Sequence, residues 1–271
     1  MRIAIITGAS SGLGREFALQ IAEKYNHEID EMWLIARRPE PLEQLAEQIN
    51  TQMNFKNAGS FHALALPLDI TDDTDTETLK SKLEHPDTVV TYLVNAAGMA
   101  KIGGPYSIDR PDLLKMVDLN CKAALNITAL CLPYVKARSH IMQICSTAAF
   151  QPMQGLNVYA ASKAFLLRYS IALSWELLGK HIHVTAVCPY WVKGTEFIDV
   201  AKDTGNEKGS KAVRHFPLAF HPPIIVKWAL VDNRIGWWVS TPGPVCIAHQ
   251  IFCKFFPTAA AMGWWEVIRR L

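Results

Sequence analysis

Thr7-Gly8-Ala9-Ser10-Ser11-Gly12-Leu13-Gly14 stands between an apolar run, Arg2-Ile3-Ala4-Ile5-Ile6, and a stretch in which Phe17, Ala18, Ile21 and Ala22 recur at helical spacing. Glycines carry no Cβ, so a chain built from them can turn tightly and approach a pyrophosphate closely. The helix that follows, predicted over about Arg15 to Tyr25, offers free N–H groups and partial positive charge at its start. The spacing is G-x-x-x-G-x-G, a variant of the dinucleotide fingerprint. Three glycines alone would fit an ordinary turn; the strand before them and the helix after them favour a cofactor. Gly8, Ser10, Ser11, Gly12, Leu13 and Gly14 are the candidate phosphate contacts.

Outward from this turn, short apolar runs alternate with longer amphipathic stretches, the pattern of βαβ units around a parallel sheet. Strands are predicted at residues 2–7, 32–36, 61–68, 89–94, 141–145, 183–188 and 236–240. Helices are predicted after Pro39 and Pro41, over about 73–84, twice within 110–137, and over about 157–178. No repeat, low-complexity tract or linker interrupts the 271 residues. The expectation is one Rossmann-type α/β domain, a doubly wound parallel sheet of about seven strands with helices on both faces. Within it, residues 1–194 would form the cofactor-binding and catalytic core. Residues 195–220 would close over substrate, and 221–271 form an aromatic-rich C-terminal segment. The middle of the closing segment, Lys202 to Lys211, is polar and contains glycine, which suits a hinged lid and equally a plain exposed loop.

The end of the second strand bears on which dinucleotide is held. NAD sites usually place an acid there for the ribose hydroxyls, whereas this chain has Ala36-Arg37-Arg38. A partly exposed charge pair at contact distance is worth on the order of 4 kcal/mol before screening, so two arginines without an acid favour the 2′-phosphate. NADP(H) is expected over NAD(H), the alternative being that both arginines are solvated surface charges.

Tyr159 and Lys163 are four residues apart and stack on one helix face. A phenol near pKa 10 is a poor base at neutral pH; an adjacent ammonium would favour phenolate, and a drop of about three units corresponds to roughly 4 kcal/mol. Such a tyrosine can protonate a forming alkoxide or deprotonate an alcohol. With the glycine turn, Tyr159-x-x-x-Lys163 resembles the short-chain dehydrogenase/reductase family. Further landmarks fall in order: Asp69-Ile70, Asn95-Ala96-Ala97-Gly98, Asn120, Ser146 and Pro189. The likeness covers roughly residues 2–195.

The resemblance implies that Lys163 also grips the nicotinamide ribose, Ser146 holds the substrate oxygen, and Asn120 holds a water linking Lys163 to solvent. It implies that Asp69 and Ile70 contact the adenine. Asn95, Ala96, Ala97 and Gly98 would lie beside the cofactor, and Pro189, Val192 and Thr195 would meet its nicotinamide end. Read without the family, Tyr159 and Lys163 could be surface residues, Ser146 a turn and Asn120 a cap. Where the family often has Pro-Gly, this chain has Pro189-Tyr190-Trp191-Val192, so Tyr190 and Trp191 reshape the substrate end alongside Ser146 and Tyr159. Pro-Tyr here is similar to the hydroxysteroid dehydrogenase and long-chain 3-oxoacyl reductase branch.

Composition excludes several other classes. Half the chain is apolar, 19% is charged and the net charge is +2, too small and too dispersed for nucleic acid. The six cysteines include no Cys-x-x-Cys pair and several sit in apolar runs, which suits reduced thiols in a cytoplasmic protein. The nine histidines show no ligand spacing, so no metal is expected; His181 and His183 would share one face of a strand. No run of 18 uninterrupted apolar residues suggests a spanning segment, and no targeting segment is visible. From Trp228 onward, Trp237, Trp238, Phe252, Phe255, Phe256, Trp264 and Trp265 cluster, with Ile247, Ile251, Phe255 and Phe256 on one helical stripe. Packing or a homodimer or homotetramer seam ranks first, a bulky-ligand wall second and peripheral membrane contact third.

These readings converge on hydride transfer between NADP(H) and a ketone or secondary alcohol of a bulky apolar small molecule, with a steroid-like ring system foremost. The alternatives are a 3-oxoacyl thioester reductase and, in another class, a non-catalytic NADP(H) redox sensor.

Overall fold

The computed structural model describes residues 1–56, 61–204, 213 and 218–270. The first half alternates strictly: β1 (Arg2–Thr7), α1 (Gly12–Tyr25), β2 (Glu31–Ala36), α2 (Pro39–Phe55), β3 (His62–Pro67), α3 (Asp73–Leu83) and β4 (Val89–Asn95). Then come α4 (Arg110–Val117), a π-helical turn (Asp118–Ala123), α5 (Ala124–Cys131), β5 (Val135–Ile144), α6 (Asn157–Leu177) and β6 (His183–Val187). The remainder is α7 (Phe197–Lys202), α8 (Pro222–Arg234), β7 (Val239–Ser240), α9 (Pro244–Phe255) and α10 (Thr258–Arg270).

The seven strands form one parallel sheet in the order β3-β2-β1-β4-β5-β6-β7. The direction in which successive strands are added reverses between β1 and β4, and doubly wound sheets bind ligands beyond the carboxyl ends at that switch. Alternating residues feed two cores. Ala4, Ile6, Leu34 and Val94 pack against α1, α2 and α8, while Ile3, Ile5, Leu93 and Ile141 pack against the helices of the other face. Burial on both faces is why these strands read as unbroken apolar runs.

Three local expectations are corrected. The fifth strand starts at Val135, inside the stretch predicted helical, and not at 141. Its pairing with β4 jumps from Val90↔Val135 to Tyr92↔His140, and Arg138 (φ 69°) carries the bulge that takes up the extra residues. His181 is not a strand residue; it turns the chain in the left-handed region (φ 55°) before β6 begins at His183. The last strand is two residues long, because Gly236 (φ 75°) still belongs to the turn after α8.

A buried polar row fastens α8 to the sheet. Tyr92 donates to Glu28 at 2.6 Å, Arg234 pairs with Glu28, and His140 Nδ1 lies 2.7 Å from Asn233 Oδ1. Because His140 Nε2 faces the Arg234 guanidinium at 3.4 Å, Nε2 accepts and Nδ1 carries the proton. Burial, the largest cause, pushes the imidazole down to about 4. Among the described residues no helix is long and apolar enough to cross a membrane.

Candidate active site

A cleft of about 660 Å³ opens at the carboxyl ends of β1 and β4. The glycine turn forms one wall. Gly8 has φ +67°, and a Cβ there would sit 2.7 Å from the Ala97 nitrogen; one at Gly14 would collide with the Gly8 carbonyl. Only glycine lets β1, the turn and the β4 loop come this close. Ser11 caps α1 without a side-chain hydrogen bond and the first turn holds no acid, so the helix's positive end is uncompensated. Across from Gly12, Thr195 approaches a would-be Cβ at 3.5 Å, and its hydroxyl oxygen is buried with no partner. A tight glycine cradle, an open helix start and an orphaned hydroxyl facing it fit a dinucleotide pyrophosphate.

Arg37 and Arg38 line the cleft at the end of β2. Arg37 Nη1 is 4.0 Å from Asp69 Oδ2 and largely exposed. Arg38 forms the tighter pair, with Nη2 3.0 Å from Glu196 Oε2 and Nη1 donating to Oε1 at 3.5 Å. No acid stands at the end of β2 itself; the carboxylates that face the two arginines come from Asp69 and Glu196.

At the other end of the cleft, Ser146, Tyr159 and Lys163 converge from the end of β5 and from α6. Lys163 Nζ donates to the Ile144 carbonyl at 2.7 Å and lies 5.9 Å from the centre of the Tyr159 ring. Here the electrostatics differ from expectation. Burial pushes the Tyr159 phenol up to about 12, and only a hydrogen bond with Ser146 pulls the other way. Desolvating a phenolate in this apolar corner outweighs what its polar neighbours return, and the Lys163 charge is directed at the Ile144 carbonyl. Burial also lowers the Lys163 ammonium. Tyr159 therefore holds its proton at neutral pH.

Most of the predicted residues line this one cleft: Gly8, Ser10 to Gly14, Asp69, Ile70, Ala96 to Gly98, Pro189 to Val192 and Thr195. Two do not. Asn95 turns into the core, where its amide donates to Thr128 Oγ1 at 2.9 Å. Asn120 lies behind the lining, fully buried in the π-helical turn, bonded to the Met99 backbone through both ends of its amide and to Ser162. A Cβ on Gly98 would meet Asn120 Oδ1 and Lys163 Nζ, each at 3.2 Å, so the backbone of Gly98 passes beside both groups.

Several residues around Tyr159 were not singled out in the sequence. Met99, Met153, Leu156 and Phe197 wall the space around Tyr159, with the Phe197 ring 5.9 Å from the Tyr159 ring. Trp265 of α10 joins the same cluster, 2% exposed, its indole donating to the Gln154 carbonyl at 3.0 Å. Only long-range packing brings these together. Glu196 stood beside Thr195 in the sequence, but its partner is 158 residues away.

Comparison with known proteins agrees with this geometry. The family model described as short chain dehydrogenase matches residues 2–205. The chain is 34% identical over 211 residues to serine 3-dehydrogenase of Agrobacterium fabrum, covering 76% of this chain and 77% of that one. It is 30% identical over 242 residues to the NADP-dependent 3-hydroxy acid dehydrogenase YdfG of Salmonella typhi, covering 88% and 89%. Among solved structures, a short-chain dehydrogenase from Sphingobium yanoikuyae in complex with NADPH superposes with a TM-score of 0.73 at 26% identity, over 96% of this chain and 98% of that one.

Proposed function

The chain belongs to the short-chain dehydrogenase family, and from that premise we propose an NADP(H)-dependent enzyme that moves a hydride between nicotinamide and the ketone or secondary alcohol carbon of a bulky apolar substrate, a hydroxysteroid foremost. It is an oxidoreductase, and NADP(H) is its cofactor: one relative is named NADP-dependent and one structural neighbour is an NADPH complex. Arg37 and Arg38, with no acid at the end of β2, supply the charge a 2′-phosphate requires.

The nicotinamide ring supplies or accepts the hydride. The chain's own residues handle the oxygen and the proton. Ser146 and Tyr159 are the pair that would hold the substrate oxygen, and Tyr159 would pass its proton to the forming alkoxide. A phenol held at about 12 carries its proton at neutral pH. Lys163, anchored on the Ile144 carbonyl, would grip the ribose and recharge Tyr159.

The observation that carries the substrate reading is the wall around Tyr159: Met99, Ala148, Met153, Leu156, Trp191 and Phe197 present hydrocarbon and sulfur. Serine and 3-hydroxy acids, which the relatives' names concern, bring a carboxylate that such a wall does not solvate. A 3-oxoacyl thioester is the second reading, since a long acyl chain also suits apolar walls. Exposed Leu114, Val117 and Leu125 along α4 and α5 suit a homodimer or homotetramer, and six free cysteines suit a reducing compartment.

The test is NADPH and NADH consumption against ketosteroids, 3-oxoacyl thioesters, and serine or 3-hydroxy acids in the reverse direction. Bulky neutral ketones should give the highest kcat/KM with NADPH. Turnover confined to thioesters removes the steroid reading, and turnover confined to hydroxy acids removes the apolar one.

A further inference from the structure

The stretch from Thr195 to Asp203 crosses the mouth of the cleft as a strap whose two ends are held differently. Its far end is fastened to the segment after β4: Ile102 N donates to the Ala201 carbonyl at 2.7 Å, and Lys101 donates to the Asp203 carbonyl. Upstream, Lys193 N donates to the Phe220 carbonyl at 2.9 Å. Between these ties, Thr195 has an unpartnered hydroxyl and Phe197 leans on Tyr159. The Glu196 carboxylate reaches across to both Arg38 Nη atoms, at 3.0 and 3.5 Å.

We propose that Glu196 is a specificity-determining rival of the cofactor's 2′-phosphate for Arg38, so that the phosphate, by displacing it, frees the strap beside Tyr159. The inference rests on the NADP(H) reading above. A carboxylate carries one negative charge, whereas a phosphate monoester carries about −1.5 to −2 at neutral pH and offers more acceptors in the guanidinium plane. The two anions repel at one arginine, and the stronger one takes it. NADH has no such phosphate and leaves the pair intact. Glu196 directly precedes Phe197, so losing Arg38 loosens the residue that covers the catalytic tyrosine. Arg37 plays no equivalent part, because its neighbour Asp69 is held in place by Thr71, whose backbone N–H and hydroxyl donate to it at 3.0 and 2.7 Å.

The pair is half exposed, so its weight is modest, about two- to fivefold in an equilibrium constant. Dissociation constants of NADPH, NADH and 2′,5′-ADP are measured by quenching of tryptophan fluorescence in the wild type and in Glu196→Gln. The variant should bind NADPH and 2′,5′-ADP about two- to fivefold more tightly and NADH unchanged. Amide exchange over residues 195–202 should differ between the NADPH and NADH complexes of the wild type, and that difference should vanish in the variant. Equal changes for both dinucleotides, no change for 2′,5′-ADP, or a persisting exchange difference overturns the role of Glu196. A wild type that binds NADH as tightly as NADPH instead overturns the cofactor reading beneath it. Because Glu196 is exposed, the substitution leaves the core intact.

Discussion

The glycine cradle lines the cleft while the last helix packs into the cluster around Tyr159, and the two are built on opposite principles. In the cradle, Gly8 and Gly14 bring three backbone segments closer than any Cβ allows, and the local shape has no alternative. In α9 and α10, only Cys246, Ala261 and Trp265 are buried, while Ile251, Phe255, Phe256, Trp264 and Val267 face outward. The cradle holds a ligand every such enzyme must hold, so it is determined by backbone contact. The tail is fastened through the buried Trp265, and its remaining apolar surface is left to other contacts.

The largest effect that sharpens this contrast lies at the chemistry between the two regions. Tyr159→Phe should lower kcat by about 10²- to 10⁴-fold while cofactor binding and melting temperature stay near wild type. A variant that turns over normally breaks the mechanism, and one whose activity loss tracks cofactor loss assigns Tyr159 to binding alone.

Next comes the tail's anchor. Trp265→Ala should cost about 3–5 kcal/mol of stability where it packs and raise KM for bulky ketones, with the NADPH dissociation constant unmoved. Loss of NADPH affinity would mean the two regions are coupled, against the separation drawn here.

Acidification should then destabilise the fold through two buried imidazoles, one in the sheet and one in the tail. His140 is neutral in the fold, lowered by burial from 6.5 to about 4, so the unfolded chain binds the proton first. Its contribution is complete above about pH 6.5 and is lost as the pH falls toward 4, amounting to about 3 kcal/mol. His249 of α9, also lowered to about 4 by burial, adds to the same window. Unfolding by denaturant at pH 7, 6, 5 and 4 measures the slope, and His249→Phe should flatten it; an unchanged slope would remove the tail's share.

The smallest effects come from one substitution made in both regions. Gly14→Ala should destabilise by about 1–3 kcal/mol and weaken NADPH binding at least as much as stability, because the added carbon meets the Gly8 carbonyl. Gly263→Ala, in the middle of α10 with nothing within 4 Å of its would-be Cβ, should stabilise by about 0.5–1 kcal/mol. Thermal melts of the two variants should move in opposite directions.

The order of strands and helices was legible because apolar runs and helical spacing are local properties of a chain. Gly8, Gly12 and Gly14 were legible because the turn needs dihedral freedom within eight residues. Tyr159 and Lys163 were legible because four residues make one helical turn. The early start of β5 was not: Val135 pairs with Val90, a partner 45 positions away, and the bulge at Arg138 that permits this leaves no periodicity behind. Trp265 was named with the aromatic tail and packing was ranked first for it, but its partners were not legible: Met153, Leu156 and Tyr159 lie more than a hundred residues upstream.

By its own order of residues, then, this chain determined a strand–glycine–helix turn, a parallel sheet around it and a tyrosine one helical turn from a lysine. Tertiary structure alone decided that the phenol is pushed up to about 12, that Arg38 is already paired with Glu196, and that a tryptophan from the last helix packs into the cluster around Tyr159. Backbone dihedrals and side-chain spacing act over a few neighbours, whereas desolvation and ion pairing depend on which distant segments exclude water from a group.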